Sequence, residues 1–314
     1  MQQRMQQQKS KGSNLMCTAG AVFFIIVLLL LANVSTTWAG AWTMPAGKLY
    51  TRMAYSEYAA QRYFYEDGST KAYAPRDGKQ RDFDYDEQTW SFYAEYGLFD
   101  NITLIGSFDY KETEWTFQSG GRNGFVAADK TARSSGLADI NFGLRYRFVA
   151  MDSGALSLQA LYKSAEAYDH KDENLSTDIR LGDAQDDFEI RLQFGHSLYP
   201  YMPGYFNVEA GYRWRSKYMA DEFVYLLEAG VDVTKSLYIR TKLDGTANVG
   251  NGDDPLANET KANANEIDLG KLEITAGYKL TSSFALEASY FNELYGASTT
   301  KGEAWSVALA AILF

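Results

Sequence analysis

Residues 136–148 read Gly-Leu-Ala-Asp-Ile-Asn-Phe-Gly-Leu-Arg-Tyr-Arg-Phe. Asp139, Asn141, Gly143, Arg145 and Arg147 take one parity; Ala138, Ile140, Phe142, Leu144, Tyr146 and Phe148 take the other. A period of two over this length marks a strand with one polar and one apolar face. The alternation recurs and predicts twelve strands, over about 47–60, 86–98, 102–116, 136–149, 155–165, 186–198, 205–216, 222–233, 237–246, 267–280, 284–292 and 303–314. In the second, Trp90, Phe92, Ala94 and Tyr96 oppose Ser91, Tyr93 and Glu95. In the sixth, Phe188, Ile190, Leu192 and Phe194 oppose Glu189, Arg191 and Gln193. One such strand fits a soluble sandwich, whose apolar faces meet each other. It equally fits a membrane barrel, whose apolar face meets lipid and whose polar face lines a lumen.

The connections separate the two. Every second one is short: 99–101, 150–154, 199–204, 234–236 and 281–283. The others are mostly long and polar: 61–85, 117–135, 166–185, 217–221, 247–266 and 293–302. Short turns at one end and long loops at the other are the asymmetry of outer-membrane barrels, with short turns periplasmic and long loops extracellular. The expected fold is an all-β, antiparallel, up-and-down transmembrane barrel of about twelve strands, both termini on the periplasmic side. In the last strand Ala308, Ala310, Ile312 and Phe314 share one parity. A terminal aromatic on an alternating strand resembles the signal by which such barrels are recognised for insertion.

Arg4, Lys9 and Lys11 precede an apolar run, roughly 19–32, and Ala39-Gly40-Ala41 has the small-x-small form of a cleavage site. Residues 1–41 are expected to be a signal peptide and 42–314 the barrel, with processing near Trp42. The run is short of the roughly 20 residues of a spanning helix unless its flanks are counted, which is the competing reading as a retained anchor. Cys17, the one cysteine, falls in the leader, so the barrel itself has neither disulfides nor thiolate metal sites. With 23 Tyr and 18 Phe the chain is rich in the aromatics that form interfacial girdles. Residues 42–314 carry 27 basic against 40 acidic side chains, a charge of −13, which argues against nucleic acid as a partner.

Twelve strands lie between eight, whose interior side chains fill, and sixteen, which leave a water channel. The first strand starts within several residues of Trp42, which leaves no length for an amino-terminal plug domain; a plug would have to be a folded-in loop, 61–85 or 247–266. The polar parity carries Arg145, Arg147, Lys163, Arg191, Arg213, Arg215, Arg240 and Lys242. It also carries Glu95, Asp109, Asp139, Glu189, Glu209, Glu228, Asp232, Asp244, Glu273 and Glu287. Arg191 and Glu209 fall at similar height on adjacent strands, as do Glu228 and the pair Arg240 and Lys242. Such neighbours either form a constriction that selects a solute or satisfy one another in a narrow, closed barrel.

Enzymatic chemistry finds little support. A barrel phospholipase needs a serine paired with a histidine on the lipid side; Ser197 follows His196 directly, so the two point opposite ways on a strand. His170, between Asp169 and Asp172, is a thin version of a protease rim site. Acidic runs at 183–188 and 252–255 lack the spaced ligands and glycine of a calcium loop. No cofactor motif occurs, and the expectation is a non-enzyme.

The 136–148 segment resembles one in a bacterial outer-membrane family associated with the meta-cleavage pathway of phenol degradation. Members show a glycine-x-glycine-aspartate start and a basic-aromatic strand end; Ala138 stands here at the second glycine. Residues 41–47, Ala-Trp-Thr-Met-Pro-Ala-Gly, also resemble that family's entry into strand one. The resemblance implies a barrel with a transport-like role for small aromatic or hydrophobic compounds. The expected role is passive entry of small molecules across a Gram-negative outer membrane, porin-like, with lipid, lipopolysaccharide and a small solute as partners. The alternative is a closed barrel whose long loops bind a surface partner.

Overall fold

The computed structural model describes residues 40–72, 83–120, 126–167, 181–183, 185–253 and 265–314. The predicted leader up to Ala39, and His170, lie outside the described residues. Among the described residues the strands are β1 (Leu49–Phe64), β2 (Thr70–Ala72), β3 (Phe83–Phe99), β4 (Ile102–Gly120), β5 (Val126–Met151), β6 (Gly154–Ser164), β7 (Asp187–Ser197), β8 (Gly204–Arg215), β9 (Glu222–Asp232), β10 (Leu237–Asn248), β11 (Asp268–Lys279), β12 (Phe284–Ala297) and β13 (Thr299–Leu313). Apart from β2, each pairs antiparallel with the next, β1 with β3, and β13 closes on β1 from Leu49↔Leu313 to Phe64↔Thr299. β2 pairs only with the end of β1, above the stretch where β1 meets β3. Twelve strands make a closed up-and-down barrel, and closure leaves no unpaired edge among them.

The outer face carries the apolar parity. Along β3 it reads Trp90, Phe92, Ala94, Tyr96 and Leu98, a nine-residue run that matches a tilted bilayer crossing. Tyr110, Trp90, Tyr55, Trp305 and Tyr290 form a belt on five neighbouring strands, with ring centroids 5.1 Å apart for Tyr55–Trp90 and 5.9 Å for Tyr55–Trp305. Outward carboxylates begin at this level: Tyr55 donates to Glu57 at 2.7 Å and Tyr290 to Glu303. An amphipathic ring belt capped by charge is what the edge of a hydrocarbon layer requires.

Two expectations change. The predicted loops 117–135 and 293–302 are mostly ladder: β4 runs to Gly120, β5 starts at Val126, and only Ser298, at φ 56°, separates β12 from β13. Antiparallel pairing satisfies backbone groups outside lipid as well as within it, so strands outlast their apolar pattern. Ala138 leaves the apolar parity. Tyr110 pairs with Leu137 and Phe108 with Ile140, so Ala138 and Asp139 together oppose Asp109 in a bulge. Leu137 is 41% exposed on the outside while Ala138 is 2% exposed. In β13 the alanine parity faces inward, and Trp305, Val307 and Leu309 face out.

Candidate functional site

The inward parity places charges at two-residue spacing on neighbouring strands, so carboxylates and cations meet across the ladder. They form three groups. Toward the long-loop end, Arg213 bridges Glu189 at 2.8 Å and Glu222 at 2.6 Å, and Arg215 bridges Asp187 at 3.4 Å and Glu222 at 3.0 Å. Arg215 also meets Asp183, and Lys163 meets Asp183 at 2.7 Å and Asp187 at 2.8 Å. Arg191 joins Glu189 to Glu209, the latter at 3.2 Å. Asp183 lies beyond the strands; burial favours its neutral form, but Lys163 and Arg215 outweigh that and hold its carboxyl below the usual range.

The second group lies on β9 to β12 and β1. Arg240 reaches Glu287 at 3.5 Å, Glu228 at 3.8 Å and Glu273 at 4.0 Å, and Arg52 holds Glu287 at 2.8 Å. Lys242 pairs with Glu273 at 3.5 Å and Asp244 at 3.7 Å. Tyr238 donates to Glu287 at 2.7 Å and Tyr205 to Glu228 at 2.9 Å. In the third group, Arg145 on β5 reaches across β4 to Glu95 on β3 with bonds of 3.0 and 3.1 Å. It also donates to Gln159 of β6 at 3.0 and 3.3 Å.

Residues 40–46 occupy the mouth at the short-turn end. Ser157 of β6 donates to the carbonyl of Ala41, and Arg145 to that of Trp42 at 3.0 Å. The amide of Met44 donates to Thr103 Oγ1 at 2.8 Å, and Thr43 Oγ1 to the carbonyl of Asp100 at 2.6 Å. The Trp42 ring meets Tyr205 edge-on with centroids 6.2 Å apart. A Cβ on Gly195 would stand 2.6 Å from that ring, and one on Gly97 would stand 2.7 Å from the Met44 carbonyl oxygen. The segment touches inward positions from β3 to β8 and lies across the opening as a strap. This corrects the expectation that a plug must be a folded-in loop. A few residues ahead of β1 suffice, because their backbone groups find partners in the wall.

Of the residues singled out by sequence, Arg191 and Glu209 are bonded, and Arg240 lies by Glu228. Lys242 pairs instead with Glu273 and Asp244. Arg213 and Arg215 share Glu222, and Arg145 meets Glu95. Arg147 sits at the rim, where its guanidinium donates to the Asp100 carbonyl at 3.0 Å. Sequence reasoning missed Arg52, the phenols of Tyr205 and Tyr238, and Trp42. His196 lies between the rings of Phe194 and Phe206, at 6.3 and 5.6 Å, in an interfacial setting.

Two cavities flank the charged groups. One of about 680 Å³ at the short-turn end is lined by Trp42, Tyr205, Tyr238, Val231, Pro203 and Met151, among others. The other, about 330 Å³ at the long-loop end, is lined by Arg191, Arg213, Arg215, Glu222, Asp244 and Lys271 with neighbours.

No family model and no curated protein matches the chain. Among solved structures it is similar to the COG4313 outer membrane channel from Pseudomonas putida F1, at 13% identity and TM-score 0.64, covering 89% of this chain and 100% of that one. The KdgM porin is a more distant likeness, at 6% identity and TM-score 0.44, covering 83% of this chain and 98% of that one. The Pseudomonas likeness is one of fold: a closed outer-membrane-type β-barrel.

Proposed function

We propose that the protein is an outer-membrane channel for passive passage of small molecules. The observation that carries this reading is the character of the interior. It is filled by paired charges with a cavity on either side, where a purely structural small barrel is filled by packed side chains. A ring of facing charges offers a solute polar contacts that exchange as it moves. The aromatic lining of the 680 Å³ cavity suits a small apolar or aromatic solute. Export through a cleaved leader, residence in a Gram-negative outer membrane and contact with lipopolysaccharide belong to the same reading.

The second reading, a closed barrel whose loops bind a surface partner, draws support from the density of the pairing. Planar-bilayer recording separates the two. Discrete current steps are expected, with Arg191→Ala and Arg240→Ala each raising conductance and shifting selectivity toward cations, because each leaves carboxylates unneutralised. Silence in bilayers favours the closed barrel, and steps unchanged by both substitutions place the conducting path away from these charges.

A further inference from the structure

The strap brings Gly40 to a place that suits a chain end better than a chain passing through. Ala41 is 0% exposed and its carbonyl is held by Ser157. Gly40, at φ 69°, lies so close to Asn207 that a side chain on it would overlap the Asn207 amide. Around this point the wall is rich in acceptors. Asn207 is 1% exposed; its Nδ2 donates to Glu228 at 3.2 Å, and its Oδ1 is buried without a partner. Gln193, also 1% exposed, donates to Gln159 at 3.3 Å, and its Oε1 is likewise buried without a partner. Gln193 pairs in register with Ser157 on one side and Glu209 on the other, and Gly195 pairs with Asn207. A buried acceptor left unsatisfied is unfavourable; Asn207 stands against Gly40, and Gln193 is the register partner of Ser157, which holds the Ala41 carbonyl.

We infer that the leader is cut between Ala39 and Gly40, and that the new amino terminus docks inside the barrel against Asn207 and Gln193. Hydrolysis of that bond consumes one water. Ala39 leaves with a carboxylate, and the Gly40 nitrogen becomes an ammonium with three donors. Those donors fit the two orphaned carbonyl oxygens, and the positive charge fits Glu209 and Glu228 nearby. Thr37 and Ala39 supply the small residues that a leader peptidase requires before its cut. A cut after Ala41 would remove the carbonyl that Ser157 holds. The inference rests on the export reading above but not on conduction.

Two measurements on protein purified from the native membrane test it. The intact mass is expected to correspond to a chain starting at Gly40; a start at Trp42, or a retained leader, overturns the proposal. Amine labelling at neutral pH favours an α-amino group, of pKa about 7.7–8.0, over lysine at about 10.4. Labelling of the Gly40 amine is expected to be at least tenfold slower in the folded barrel than in denaturant. Gly195→Leu, which fills the space of the Trp42 ring, is expected to restore the fast rate. Trp42→Ala leaves the barrel wall unchanged and gives the same readout if Gly195→Leu fails to fold. Equal labelling of folded and denatured wild-type protein overturns docking, and neither measurement requires a current.

Discussion

Arg145→Met tests whether the interior is dry enough for its charges to depend on one another. Arg145 is 4% exposed, and its guanidinium holds Glu95 through two bonds of 3.0 and 3.1 Å. Methionine keeps much of the length and volume but leaves Glu95 without its counter-ion. Removing one partner of a buried pair costs about 3–5 kcal/mol, because the other charge stays desolvated. Tyr93 continues to donate to Glu95, which places the expected loss near the lower bound, about 3 kcal/mol. With a urea slope of about 1–3 kcal/mol/M, the unfolding midpoint in lipid vesicles falls by about 1–3 M. Adding Glu95→Gln to Arg145→Met removes the stranded charge, so the double variant is expected to recover most of the loss, a strong coupling in the double-mutant cycle. A loss below about 1 kcal/mol, the range of solvent-exposed pairs, would refute the reasoning. So would a double variant no more stable than Arg145→Met. Either result means that water already solvates this pair, as it would in a wide, wet lumen.

Further tests probe the outer face and the long-loop end. Phe142, outward and 54% exposed, lies between the aromatic levels of Tyr110 and Tyr146. Phe142→Arg is expected to cost about 2–4 kcal/mol in a lipid bilayer, read as a lower urea midpoint, while Phe142→Leu stays close to wild type; equal behaviour of the two would sink the lipid-facing assignment. Asp183 has a depressed pKa in the folded state, so its stabilisation is present above the unfolded value of about 3.9 and lost as pH falls through the lower folded value. Protease resistance of the long-loop end should accordingly hold from about pH 5 to 7 and fall below about pH 4. Asp183→Asn should be less resistant at neutral pH and show a flatter acid profile, and an unchanged profile counts against the Lys163–Asp183–Arg215 link.

The barrel is legible where lipid imposes the alternation. β7 and β8 alternate without a break, and their ends fall within a residue or two of the expectation. Beyond the hydrocarbon layer that pressure lapses. Residues 117–120, Phe-Gln-Ser-Gly, carry no clear alternation and fall in the predicted loop 117–135, yet they continue β4 opposite β5. Ala138 shows a second limit. Alternation assumes one residue per rung, and the bulge opposite Asp109 resets the count with a residue small enough to sit on either face. Alanine in β13 is ambiguous for the same reason, and there the larger Trp305, Val307 and Leu309 decide which way is out.

For the inward charged residues, parity reveals some ion-pair partners and hides others. Arg191 and Glu209 are register neighbours of the kind that spacing exposes. The Arg145–Glu95 pair skips a strand: β4 offers Thr103 in between, short enough for the long guanidinium to pass over. The strap has no periodic signature, since its order comes from hydrogen bonds to the wall rather than from a ladder of its own. Its imprint is on the other side of the contact. Gly97 and Gly195 sit at inward positions, where any side chain would meet the strap's backbone or its tryptophan ring. A glycine inside a strand weakens that strand and marks a close approach by something else. Two of them, on β3 and β7, both near the short-turn end, are the trace in the sequence of a segment that crosses the opening between them.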